Sequence, residues 1–119
     1  MTWIYHQRSG EIYHNSLYMG KGYAGRMTNK NNPDRQQVKG LGPLPRGRYK
    51  ITANTHSKGP YTLVLEQIEG ATFGRSAFRI HGERRRPPVG WASEGCIILE
   101  YPIREKIWKS KDYMLEVVR

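Results

Sequence analysis

The chain has 119 residues, the size of one domain, and its 20 Lys and Arg against 10 Asp and Glu give a formal net charge of +10. Leu, Ile, Val and Phe make up about a fifth of the residues, a share at the border of disorder, but eight Tyr and three Trp supply the large apolar side chains that disordered segments lack. No apolar stretch approaches the length of a membrane-spanning helix. We therefore expect one folded, strongly basic domain over residues 1–119 with no membrane span.

The N-terminal segment MTWIYH has neither the basic leader nor the apolar stretch of a secretory signal, so we expect synthesis in the cytoplasm without a signal peptide. The single cysteine, Cys96, excludes an intramolecular disulfide. With one Cys and four scattered His, we expect no metal site and no cofactor. His6, His14 and His56 have no partner pattern and are interpreted as ordinary histidines. Cys96 is either a packed side chain or a reactive thiol.

Gly and Pro recur at short intervals along the chain, as in proteins built from many short strands. Residues 2–6 and 11–14 flank the turn segment QRSG at residues 7–10, which predicts an opening hairpin. Residues 20–39 are polar and rich in Asn, and they predict a loop that is either ordered or mobile.

Alternation of apolar and polar residues predicts strands at residues 48–53 and 61–65, and an apolar strand follows near residue 78. The inward-facing side chains are expected to be Tyr49, Ile51, Ala53, Tyr61, Leu63, Leu65, Phe78 and Ile80. The same period of two places Arg79 and His81 together on the opposite face.

The C-terminal part of the chain carries the one helical pattern. Pro102 in a first-turn position, followed by Ile residues four apart, predicts a short helix over Tyr101–Lys109. Residues 113–118 then predict a closing strand. Short strands with one short helix indicate a mainly β domain, a sandwich or a barrel.

Two glycine-rich segments have structural interpretations. The segment GKGYAG at residues 20–25 matches the dinucleotide-binding fingerprint, but residues 26–33 cannot form the helix that binds the pyrophosphate. We interpret it as a glycine-rich turn or flap near a ligand cleft. The segment GPLPRG at residues 42–47 predicts a rigid double turn that leads into a strand.

The segment over residues 78–99 is the one that suggests chemistry. An apolar strand ends in His-Gly at residues 81–82, a basic loop follows, and SEGCIIL occupies residues 93–99. An imidazole can take the proton of a neighbouring thiol and later return it to a leaving amine. The amides of Gly95 and Cys96 could bind the developing oxyanion. The alternative is that Cys96 is a small buried apolar residue, as a lone Cys in an apolar run usually is.

The same residues resemble a known family. His-Gly followed by ASEGCI at residues 92–97 resembles the catalytic signature of L,D-transpeptidases, in which His-Gly precedes Ser or Thr, any residue, Gly, Cys and Ile or Val. With the segments WIY at 3–5, GYAG at 22–25, GPLPRGRY at 42–49 and GRSAFRIHG at 74–82, nearly the whole chain resembles the L,D-transpeptidase-like effectors of type VI secretion.

The resemblance implies a β-sandwich enzyme that acts on peptidoglycan stem peptides, cutting before the terminal D-alanine of a tetrapeptide. Cys96 would be the nucleophile, and His81 would be the general base and then the general acid. A backbone carbonyl near Gly82 would orient the imidazole, and Ser93 would support the turn or the substrate. The amides of Gly95 and Cys96 would form the oxyanion site.

This chain departs from the family at one position. Many L,D-transpeptidases have Arg two places after the Cys, where this chain has Ile98. The residues proposed to bind substrate in its place are Arg75, Arg79, Arg104 and Tyr23. Arg79 is the best argued of these because strand periodicity puts it on the face of His81. The loop residues 84–86, all Arg, are interpreted either as solvated or as a second carboxylate-binding group.

The effector resemblance also implies partners and a place of action. It implies delivery by a secretion system, action in the periplasm of a target bacterium, and a cognate immunity protein. The main alternative is a nucleic-acid-binding module, because +10 with interleaved Tyr and Trp suits phosphate contact and base stacking. Against it, no nucleic-acid-binding motif is present, so we expect no nucleic-acid partner. A wall-binding protein without catalysis is a third possibility.

Overall fold

The computed structural model describes residues 2–84 and 89–119, in which nine strands and one α-helix are present. The strands are β1 (Trp3–His6), β2 (Glu11–His14), β3 (Leu17–Lys21), β4 (Tyr23–Ala24), β5 (Gly47–Thr55), β6 (Thr62–Glu69), β7 (Arg79–His81), β8 (Ile97–Ile98) and β9 (Met114–Val118), and helix α1 is Tyr101–Lys109. In the described part of the chain, no helix has the length and apolar character needed to cross a membrane.

The strands form one nearly closed sheet in the order β3-β2-β1-β9-β5-β6-β7-β8-β4. Neighbouring strands are antiparallel except for β1 with β9 and β7 with β8, which are parallel. The opening hairpin is confirmed, since β1 pairs with β2 across the turn at residues 7–10. The mainly β fold and the predicted helix Tyr101–Lys109 are also confirmed.

Strand periodicity accounts for most of the core. Six of the eight side chains predicted to point inward are buried, and they pack with Trp3 and Tyr5 of β1 and with apolar residues of α1. Ala53 is only half-buried because the β5–β6 register shifts beside it. Tyr61 is also half-buried; it precedes β6, and its ring lies edge-on to Tyr101 at 5.3 Å.

The segment predicted as a loop at residues 20–39 contains more regular structure than expected. It includes the end of β3, strand β4 and 3-10 turns at Met27–Asn29 and Pro33–Arg35. Side-chain amides replace missing ladder bonds: Asn31 Oδ1 accepts from the Ala24 amide at 3.1 Å. Such local side-chain-to-backbone bonds order a polar segment without an apolar pattern, which is why alternation did not predict it.

The Tyr5 hydroxyl tests whether a buried polar group in this core needs a hydrogen-bond partner. Its side chain is fully buried, and within the described residues its hydroxyl has no hydrogen-bond partner, whereas the buried Tyr49 hydroxyl donates to the Pro45 carbonyl at 2.7 Å. Tyr5→Phe removes an unpaired polar group, so we expect the free energy of unfolding to stay equal or rise by about 1 kcal/mol. Tyr49→Phe should lower it by about 1–2 kcal/mol. Urea unfolding measures both, and a clear loss in Tyr5→Phe would contradict this assignment.

Candidate active site

Parallel pairing of β7 with β8 brings His81 and Cys96 to one part of the sheet. The register pairs Ile80 with Ile97. Cys96 directly precedes β8, and if the register continued by one residue it would lie next to Arg79, with His81 two positions further along on the same face. Diagonal neighbours on a sheet face are about 7–8 Å apart between Cα atoms, a separation that side chains can bridge. The predicted sharing of one face by Arg79 and His81 therefore extends to Cys96.

The His81 ring is held in one tautomer. Its Nδ1 lies 2.9 Å from the Gly82 carbonyl oxygen, which can only accept, so Nδ1 carries the proton and Nε2 of the neutral ring is an acceptor. The side chain is buried, and this burial lowers the pKa of His81 below its ordinary value; the Gly82 bond opposes the shift, and the nearby cations Lys58, Arg79 and Arg104 add to it. His81 is therefore in its basic form at neutral pH.

Cys96 lies at the end of the turn before β8 and is partly exposed. Its Sγ is 3.6 Å from the Ala77 carbonyl oxygen, to which the thiol donates. Cys96 and His81 line the same open cavity of about 850 Å³. Transfer of the thiol proton to His81 requires the S–H bond to turn away from Ala77. The thiol is accessible to a substrate and is not part of the buried apolar core.

Ser93 organises the turn that carries Cys96. Its fully buried hydroxyl accepts from the amides of Gly25 at 2.8 Å and Gly95 at 3.0 Å, and it donates to the Cys96 carbonyl. One donor and two acceptor positions are the full capacity of a hydroxyl. These three hydrogen bonds agree with the prediction that Ser93 supports the turn. The Gly95 amide is thereby engaged with Ser93, so an oxyanion site in this arrangement rests on the Cys96 amide.

Removing the Ser93 hydroxyl tests this role. Ser93→Ala leaves two buried amides without an acceptor, so we expect a loss of about 1–3 kcal/mol in the free energy of unfolding. We also expect a change in the rate of Cys96 alkylation, because the turn before the thiol loses its support. Ser57→Ala, at an exposed position of the same cavity, is the matched control. Unchanged stability and unchanged alkylation in Ser93→Ala would exclude the positioning role.

The cavity walls are strongly cationic. Among the described residues they carry six basic side chains and two carboxylates: Arg26, Lys58, Arg75, Arg79, Arg84 and Arg104 against Glu83 and Glu94. Of the basic loop at residues 84–86, Arg84 is at the cavity edge, and Arg85 and Arg86 lie outside the described residues. Such an excess of one charge concentrates an anionic ligand at the site.

The Arg75 guanidinium is hydrogen-bonded to backbone carbonyls around the turn that carries Cys96. Its guanidinium donates to the carbonyls of Gln36, Gly42, Pro43 and Glu94. A Cβ atom at Gly95 would lie 2.1 Å from Arg75 Nη2, and Gly95 has a φ of +133°, so glycine is required there. Substrate binding by Arg75 stays a prediction, and these contacts also give it a role in fixing the segment before Cys96.

The Arg104 guanidinium is likewise hydrogen-bonded to backbone carbonyls. It donates to three carbonyls, those of Leu99, Pro60 and Tyr61. Its Nη2 packs against Gly82 so closely that a Cβ atom there would be 2.7 Å away. Arg104, which lies in α1, thus packs against the His-Gly pair. Its contact with substrate stays a prediction.

Tyr23 lies outside the residues that line the cavity. Its hydroxyl donates to Glu83 Oε2 at 2.7 Å and accepts from the Ala92 amide, and Lys30 Nζ sits 4.8 Å above its ring. Glu83 Oε2 also accepts from the Gly90 amide at 3.0 Å. In this structure Tyr23 therefore links both ends of the loop between His81 and Ser93, while its role as a substrate contact stays a prediction.

Sequence reasoning missed two residues of this site. Glu83 accepts from the far end of the loop, and Arg26 donates to the carbonyls of Ser93 at 3.1 Å and Trp91 at 3.1 Å. Glu83 is the one acidic residue directly after the His-Gly pair, a signal that could have been used. Arg26 has no local pattern that distinguishes it from the other basic residues.

Ile98 stands where many L,D-transpeptidases have Arg. Its register partner is His81, and its side chain is buried with 4% exposure. The backbone there is close to the glycine-rich segment: a Cβ atom at Gly22 would lie 1.8 Å from the Ile98 carbonyl oxygen. This close approach explains why residue 22 is a glycine, and the explanation does not require a bound nucleotide.

The mainly β domain thus carries a thiol and an imidazole at one cationic cavity, the pair of side chains that the resemblance to L,D-transpeptidases implies. The family model for the Tlde1 domain, a type VI secretion L,D-transpeptidase effector domain, matches residues 19–118. The chain belongs to this family, and the resemblance drawn from its motifs is confirmed. No curated protein and no solved structure matches the chain. Membership implies a type VI secretion effector with an L,D-transpeptidase-like role.

Proposed function

We propose that this protein is a peptidoglycan-modifying cysteine enzyme that acts as an L,D-carboxypeptidase, as a D-amino-acid-exchanging L,D-transpeptidase, or as both, on tetrapeptide stems. The observation that carries the proposal is that Cys96 and His81 line one cationic cavity, with the His81 ring held so that Nε2 is an acceptor. Stem peptides are anionic through their carboxylates, which suits the excess of basic side chains there.

Acylation begins with transfer of the Cys96 proton to Nε2 of His81. The thiolate attacks the carbonyl carbon of the L-centre of meso-diaminopimelate, and the resulting oxyanion is stabilised by the Cys96 amide. When the tetrahedral intermediate collapses, the C–N bond breaks and the imidazolium gives its proton to the amine of D-alanine. The products are free D-alanine and a thioester on Cys96.

Deacylation reverses the proton transfers. His81 takes a proton from water or from the amine of an incoming D-amino acid, which attacks the thioester carbonyl. The C–S bond breaks and the thiolate regains a proton from the imidazolium. Water gives a tripeptide stem, and a D-amino acid gives an exchanged tetrapeptide. Trimming starves cross-linking of tetrapeptide donor stems, and exchange corrupts the stem with a different terminal residue; either outcome accounts for an antibacterial effect.

The site of action that follows is the periplasm of a target bacterium, reached through the secretion system that the family implies. A cognate immunity protein would protect the producing cell, and the open cavity at Cys96 is the surface whose coverage would block catalysis. This cavity is basic, so we expect the immunity protein to present acidic residues to it.

The decisive experiment is mass spectrometry of purified tetrapeptide muropeptides after incubation with the protein, with and without a free D-amino acid. Loss of D-alanine alone identifies hydrolysis, and incorporation of the added D-amino acid identifies exchange. Failure to change the muropeptides under either condition would refute the proposed activity. The +10 charge is compatible with nucleic acid as well, but the cations described here surround a recess beside Cys96, which favours a small acidic ligand.

A further inference from the structure

Arg79 is a basic residue of the cavity with a buried donor that no described group accepts. It belongs to β7 and lines the cavity together with Cys96. The β7–β8 register pairs Ile80 with Ile97, so the chain position that precedes β8 next to Arg79 is that of Cys96. Within residues 2–84 and 89–119 its Nε is buried and has no hydrogen-bond partner. A buried guanidinium N–H without an acceptor is unfavourable, so this group calls for an explanation, and one explanation is a carboxylate ligand bound by the guanidinium.

Three other basic residues of the cavity differ from Arg79 in this respect. The guanidinium groups of Arg75, Arg104 and Arg26 each donate to at least two backbone carbonyls of the described chain. Their bonds hold the turn before Cys96, the His-Gly pair and the loop before Ser93. Arg79 alone among these four is left with a buried donor that no described group accepts.

We propose that Arg79 binds the α-carboxylate of the residue that leaves during acylation, and that this contact makes the enzyme selective for a free C-terminal residue. The inference rests on the proposed function, because it assigns a subsite of that reaction. In a stem peptide the leaving residue is attached to the attacked carbonyl carbon through its amine, so its carboxylate lies three covalent bonds from that carbon. While the Cys96 thiolate attacks that carbon and before the C–N bond breaks, the carboxylate is therefore close enough to be bound by a side chain of the neighbouring strand, where Arg79 lies.

The chemistry of the two groups matches. A guanidinium binds a carboxylate through two parallel N–H···O bonds, and such charge-assisted pairs are strongest where water is excluded. Exchange is acylation run in reverse with a new amine, so the incoming D-amino acid occupies the same subsite and uses the same contact. Arg79 thereby takes the recognition role that Ile98, an apolar side chain, does not supply.

The first test compares two substrates on two enzymes. The substrates are a tetrapeptide stem with a free C-terminal carboxylate and the same stem with a C-terminal carboxamide. Wild type should prefer the carboxylate by about 10- to 100-fold in kcat/KM, the range expected for a hydrogen bond between charged groups. Arg79→Gln should lose this preference by slowing far more on the carboxylate than on the carboxamide, and Arg79→Lys should retain part of it. Arg48→Gln, at an exposed position of β5 outside the cavity, is the matched control.

The second test does not need turnover. D-alanine at increasing concentration should slow alkylation of Cys96 by iodoacetamide in wild type, D-alaninamide should not, and Arg79→Gln should abolish the difference. Equal discrimination by wild type and Arg79→Gln in both tests overturns the proposal while leaving the peptidase activity in place. A change in the ligand-free alkylation rate without loss of discrimination also overturns it, because Arg79 would then act on the thiolate. Absence of turnover in wild type, with protection by D-alanine retained, refutes the proposed reaction and supports the subsite.

Discussion

Cys96→Ala should abolish release of D-alanine from tetrapeptide muropeptides, with a loss of at least about 10⁴-fold in kcat, because no other described group at the cavity can form the thioester. The fold should persist, since Cys96 is partly exposed and lies outside the hydrophobic core. We expect the free energy of unfolding to change by less than about 1 kcal/mol. Product formation is measured by mass spectrometry and stability by urea unfolding.

Cys96→Ser is the companion variant for this prediction. It keeps a hydroxyl that can donate to the Ala77 carbonyl, but it removes the acidic and polarisable thiol, so it should be nearly as inactive as the alanine variant. The protein directed to the periplasm of a test bacterium should likewise lose toxicity in both variants. An active Cys96→Ala protein would refute the thioester mechanism.

His81→Ala should lower kcat/KM by about 10²- to 10⁴-fold, the contribution typical of a positioned general base and acid. It should also slow alkylation of Cys96 near neutral pH, because the thiol loses the neighbouring acceptor of its proton. Equal alkylation rates in wild type and His81→Ala would contradict the pairing of these residues. His14→Ala is a useful comparison, since His14 bonds Asp112 at 2.8 Å and does not line the cavity.

The pH profile of the wild-type enzyme follows from the same residue. His81 must be neutral to accept the thiol proton, and burial lowers its pKa below the ordinary value of 6.5. As the pH is lowered to 6.5, kcat/KM should therefore stay high. It should fall only at a lower pH, as the pH passes through the lowered pKa of His81. A limb at or above the ordinary His range would show that another group controls the proton transfer.

Much of this architecture is predictable from local pattern. Alternation identified the buried residues of β5 and β6, Pro102 with its following Ile residues marked the helix, and the His-Gly and Ser-x-Gly-Cys segments indicated the family. These features depend on neighbours within a few positions, so a single chain contains enough information for them. For residues 20–39 the sequence left open whether the loop is ordered, and it did not predict β4 or the 3-10 turns, because the bonds there run from individual Asn side chains to the backbone and leave no period.

The assignment of the arginines required the tertiary structure. Arg75 and Arg79 are four positions apart in one chain segment, yet Arg75 donates to carbonyls 32 and 33 residues away, while the buried Nε of Arg79 has no acceptor among the described residues. Such bonds join segments that only folding brings together, and nothing in the local sequence distinguishes one guanidinium from the other. Strand period and motif thus determine which residues face the cavity, whereas long-range hydrogen bonds decide which guanidinium donors already have a partner in the described chain, because each N–H can be satisfied only once.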